Sequence, residues 1–134
     1  MGLEHFSGTW VFDKDESELN SQPPLRWIQR ISITDDRICV QEEITRTTEV
    51  TIVEVDAIPN GDFYPVKGSP IADEISYVVQ GSSIQGVARK AGVVSLRETL
   101  SVSDLGQMSM NLTLLINGKE IPLGVARFRK DQTA

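Results

Sequence analysis

Apolar residues along this chain recur at every second position. Met108, Met110, Leu112, Leu114 and Ile116 alternate with Ser109, Asn111 and Thr113, and Ile75, Tyr77 and Val79 follow the same beat, as do Ile121, Leu123 and Val125. A period of two is that of half-buried strands, because successive side chains of a strand point to opposite faces. β-branched residues are dense, as in the run from Thr47 to Val55, which suits a pleated surface. Turn-forming pairs and triplets break the pattern about every ten residues: Asp35-Asp36, Arg46-Thr47, Asn60-Gly61, Gly68-Ser69-Pro70, Gln80-Gly81-Ser82, Ala91-Gly92, Asp104-Leu105-Gly106 and Asn117-Gly118. Such residues tolerate the positive φ that tight hairpins need.

These breaks predict about ten strands, near 8–14, 25–34, 37–45, 48–57, 62–66, 74–80, 83–90, 93–102, 107–116 and 121–130. The one helical candidate is a single turn from Asp15 to Leu19. Strands joined by tight hairpins form an up-and-down antiparallel meander, and closing it into a β-barrel removes both exposed edges. A sandwich with crossovers is the rival and needs longer connections. The longest irregular stretches, 15–24 and 67–73, leave little chain for them. The expected architecture is therefore all-β, one closed barrel domain spanning residues 1–134.

Length and composition narrow the function. A chain of 134 residues buries roughly two-thirds of its unfolded surface, enough for a core without staples. Cys39 is the single cysteine, so no internal disulfide forms, in keeping with a reducing compartment. The net charge of −6 opposes nucleic-acid binding and discourages contact with anionic membranes. Met1 to Trp10 has neither a basic start nor an apolar run, so it is no signal peptide, and no apolar stretch is long enough to insert in a membrane. The expected location is the cytoplasm, the alternative being a leader removed ahead of Met1-Gly2. Oligomeric state is not legible.

Phe6-Ser7-Gly8-Thr9-Trp10 resembles the G-x-W signature of the calycins, that is, the lipocalins and fatty-acid-binding proteins. The resemblance implies that Trp10 plugs the closed end of the barrel with a basic residue of the last strand across its face. Val125 to Lys130 is similar to the last strand of the fatty-acid-binding branch, where an Arg-x-Tyr pair grips a carboxylate. Arg127 matches the arginine, while Arg129 stands where the tyrosine would be. That branch also inserts a two-helix lid after its first strand, where only Asp15 to Pro24 is available here. The pattern is closest to uncharacterised bacterial lipocalin-like proteins, through Gly8-Thr9-Trp10, Asn60-Gly61-Asp62-Phe63-Tyr64-Pro65-Val66, Ser103-Asp104-Leu105-Gly106 and Arg127 to Lys130.

Candidate ligand-binding residues follow from parity. Arg127 and Arg129 share a face with Ile121, Leu123 and Val125, so both are expected inside, one covering Trp10 or receiving a ligand carboxylate. Glu98 shares parity with Val94, Leu96, Leu100 and Val102 and is expected to pair with one of these arginines, or to have its pKa raised by burial. Tyr77, Trp27 and Met110 sit on apolar faces, as core fillers or pocket walls. No catalytic residue, metal site or cofactor is expected: His5 is the only histidine, and no phosphate loop is present. The acidic group Asp13, Asp15, Glu16 and Glu18 lacks calcium-loop spacing.

The leading expectation is a barrel that binds a small apolar or fatty-acid-like ligand in its interior. The alternatives are a solid-core barrel acting as a protein-interaction module and, third, an isomerase or lyase using Glu98 or Tyr77 with an arginine. An interior of roughly 300 Å³ or more separates the first from the second.

Overall fold

A computed structural model describes residues 3–131; Met1 and Gly2, where the leader question falls, lie outside them. A short 3₁₀ turn, Glu4–Phe6, precedes strands β1 (Gly8–Phe12), β2 (Glu18–Leu19), β3 (Arg26–Thr34), β4 (Arg37–Thr45), β5 (Val50–Ala57) and β6 (Asn60–Lys67). β7 (Glu74–Gln80), β8 (Ser83–Lys90), β9 (Val93–Val102), β10 (Gln107–Ile116) and β11 (Lys119–Lys130) complete the chain. From β3 onward each strand pairs antiparallel with the next, and β1 joins both β3 and β11. The meander therefore closes on itself. Asn117 and Gly118, at φ +52° and +78°, turn β10 into β11 as the two-residue hairpin signal predicts.

Three local expectations need correction. The Asp15 to Leu19 segment is not helical. Ser17 Oγ donates to the Asp13 carbonyl (2.7 Å) and accepts from the Arg127 N–H (2.8 Å), and β2 then pairs Glu18 and Leu19 with Val125 and Gly124. The open edge of β11 offers ladder bonds that outcompete one isolated helical turn. Asn60-Gly61 is not a hairpin turn either. It lies inside β6, at an irregularity facing β7, where the Asn60 side chain accepts from the Asp62 N–H and the Tyr64 hydroxyl.

The third correction concerns β11. Leu112 pairs with Gly124 but Thr113 pairs with Pro122, so Leu123 is an extra residue and inward parity changes there. Ala126 and Phe128 are buried, whereas Arg127 and Arg129 point outward. Arg127 lies on the outer surface, donating to the Glu16 carbonyl (2.7 Å) and pairing with Glu18 at 3.1 Å. Lys130, not an arginine, covers the indole of Trp10, with its ammonium 5.0 Å from the ring, because the β1–β11 register sets Trp10 opposite Lys130.

The core is densest at this closed end. Phe6, Trp10, Phe128, Ile38, Ile84 and Met108 are fully buried, and the Trp10 indole N–H donates to the Phe6 carbonyl at 2.8 Å. Phe12, Trp27 and Phe128 meet with ring centroids 5.0–5.8 Å apart, spacing at which aromatic pairs attract beyond their area burial. Replacing Lys130 with Gln should cost about 0.5–1 kcal/mol in urea unfolding, the worth of an exposed cation–π contact. A change below roughly 0.2 kcal/mol, near the resolution of such measurements, removes that role.

Candidate functional site

The barrel's other half is not filled. A cavity of about 210 Å³ lies in the interior, walled by Trp27, Val53, Val55, Ile75, Tyr77, Ala88, Met110 and Leu112. Ser21, Gln22, Arg46, Ser69 and Ile71 also line it and, being more exposed, form its mouth. Its size exceeds the roughly 150 Å³ engineered cavity that takes up benzene. It falls short of the roughly 300 Å³ at which drug-sized sites begin.

Cross-strand register assembles the polar part of the wall. Tyr77 of β7 pairs with Gly86 of β8, which pairs with Glu98 of β9, and Glu98 pairs with Leu112 of β10. All four therefore share the inward face. Gly86 is the gap between the two polar side chains: a Cβ there would sit 2.9 Å from Glu98 Cγ and 3.2 Å from Tyr77 Cε1. From the β3–β4 side, the Trp27 indole N–H donates to a Glu42 carboxyl oxygen at 2.8 Å. Beneath them the Gln29 amide donates to the Met110 sulfur at 3.5 Å.

Two carboxyl groups thus face one cavity. Burial, then the nearby Glu42 charge, raises the Glu98 pKa to about 8, since a low-dielectric site with a like charge disfavours ionisation. Burial also raises Glu42, partly offset by its hydrogen bond from Trp27. Tyr77 is pushed well above its ordinary value by burial, then by Glu98 and Glu42. No hydrogen bond within the protein is formed by the Glu98 carboxyl or the Tyr77 hydroxyl among the described residues, and since no fully buried polar side-chain atom there lacks a partner, both are reached from the cavity. Both groups open on the cavity.

Of the residues singled out from sequence, Glu98, Tyr77, Trp27 and Met110 meet on this wall, while Arg127 and Arg129 lie outside the barrel. Among the described residues Glu98 has no arginine partner. Glu42 and Gln29 were missed. Their signal was parity: Glu42 alternates with Ile38, Val40 and Ile44, and Gln29 with Trp27 and Ile31. Among the described residues, no three His, Cys, Asp or Glu side chains converge as a metal site requires. No helix among them is long and apolar enough to cross a membrane.

The closed ten-strand antiparallel meander, with its aromatic plug and internal cavity, is a calycin-type fold of the fatty-acid-binding-protein kind. Among solved structures, the zebrafish ileal bile acid-binding protein complexed with cholic acid matches it with a TM-score of 0.66 and 13% sequence identity, over 95% of this chain and 99% of that one. No protein-family model matches the sequence, and no curated protein does.

Proposed function

We propose that this protein binds a small, largely apolar molecule inside the barrel. The carrying observation is the 210 Å³ cavity with an aliphatic and aromatic wall and two polar groups facing it, on Tyr77 and Glu98, that form no hydrogen bond among the described residues. A mostly apolar pocket with few polar anchors is the usual layout of a small-molecule site. The likeness to a barrel whose structure holds cholic acid supports the same reading. The volume favours ligands of one ring or a short chain over a long fatty acid. The outward position of Arg127 and Arg129 leaves a fatty-acid carboxylate without the grip suggested by the last strand.

Mass spectrometry of the undenatured protein, followed by titration of one-ring and short-chain compounds against Trp27 fluorescence, tests the reading. Binding tighter than about 1 mM (roughly −4 kcal/mol) is expected. Ala88→Leu, which fills the cavity from β8, should weaken it by about tenfold or more. No bound species and no response to any compound would leave the solid-core, protein-contact alternative in possession.

A further inference from the structure

The polar chemistry of the cavity has a sign. Glu98 and Tyr77 project into it from one side, and Glu42, held by Trp27, from the other. β8 contributes Gly86 beside Glu98, and β10 contributes Leu112, neither with any charge. The single basic residue on the lining is Arg46, which is exposed at the mouth and donates to the Gln22 carbonyl at 3.4 Å. No cation reaches Glu98 among the described residues. Resting on the cavity reading above, we infer that the ligand is a small apolar amine, its ammonium group held by Glu98 in the cavity that Tyr77 and Trp27 also line.

Three independent features agree on this. An unpaired carboxyl in a low-dielectric site is costly when charged, and a bound ammonium ion removes that cost while an anion would increase it. Trp and Tyr rings beside carboxyls are the surroundings in which a cation gains from ring quadrupoles as well as charge. The Tyr77 hydroxyl, which faces the cavity and has no hydrogen bond among the described residues, can accept one from the same ammonium group. The charge balance is explicit. Near neutral pH Glu98 is largely protonated, so an ammonium ion that enters displaces one proton from its carboxyl to solvent. At Glu98 the resting carboxyl is then neutral, and the occupied site holds an ion pair there, beside the Glu42 carboxyl.

The test uses four compounds of one size: benzylamine, benzyl alcohol, toluene and benzoate, titrated calorimetrically into the whole protein. Benzylamine should bind about tenfold or more tighter than toluene, with benzoate weakest. Its enthalpy should change with the ionisation heat of the buffer, reporting about one released proton per site, and its affinity should rise from roughly pH 6 to pH 8 as Glu98 gives up its proton. Glu98→Gln should remove the proton release and at least about tenfold of the benzylamine affinity, a larger loss than it causes for toluene. Benzoate binding as well as benzylamine, or a benzylamine affinity indifferent to Glu98→Gln, overturns the inference and leaves the cavity reading standing. Failure of all four compounds overturns both.

Discussion

Glu98→Gln should make the protein more stable at pH 8 than the parent, by roughly 1–3 kcal/mol once cavity solvation of the half-buried carboxylate is discounted, and leave the two nearly equal at pH 4. The sign follows from where the proton sits. Below the ordinary value of 4.5 the carboxyl is neutral in both folded and unfolded chains. Between 4.5 and about 8 the unfolded chain loses a proton that the folded one keeps, so stability falls with each pH unit. Above that range the cost is constant. The slope reaches about 1.4 kcal/mol per unit for a single group, less to the extent that water in the cavity solvates the charge. Glu42, also raised by burial, adds a smaller decline of the same sign that the variant retains. Urea unfolding across pH 4–9 reads this directly. Parallel stability curves for the two proteins would mean that Glu98 is solvated.

Gly124→Ala should destabilise the barrel by about 3 kcal/mol or more, a large share of the roughly 5–15 kcal/mol that such a domain has. Gly124 has a φ of +105°, and a Cβ on it would stand 2.0 Å from the Glu18 carbonyl oxygen. Backbone strain of about 1–3 kcal/mol and a backbone overlap that no rotamer relieves act together. The clash falls where β2 pairs with β11, so this short ladder, next to the β1–β11 closure, opens first. Hydrogen exchange should therefore quicken around residues 18–20 and 123–125 before it changes in β7–β9. Uniform loss of protection would instead mean that the strain spreads through the whole sheet.

The same glycine shows how far the sequence could be read. Alternation in Met108 to Leu112 named a strand and its inward face correctly, because no irregularity interrupts that strand's pairing with β9, whereas Ile116 at the strand's end is half exposed. The identical logic failed for Arg127 and Arg129, because one surplus residue at Leu123 reverses every side chain beyond it. Gly124 amid a strand was the available sign, since an isolated glycine in a strand often marks a bulge. Ten strands, their order and the closure were legible because hairpin signals and periodicity are local. Half of the polar wall was not. Glu42 lies on a strand where three aliphatic neighbours were evidence for its burial, yet a charged residue by itself argues for solvent. Its pairing with the Trp27 indole depends on register between β3 and β4, which no single strand reveals.

The hoop of strands has one joint made differently from the rest. β5 and β6 share only the Glu54–Lys67 and Val55–Val66 positions, and β6 carries Gly61 and Pro65, a proline being tolerated where a neighbouring ladder is thin. Val55 and Val66 also border the cavity. Thermal breathing of the cylinder should therefore concentrate along this line, splitting the wall lengthwise beside the empty space. A guest of the kind proposed would then have a second way in, sideways between two staves held by only two rungs.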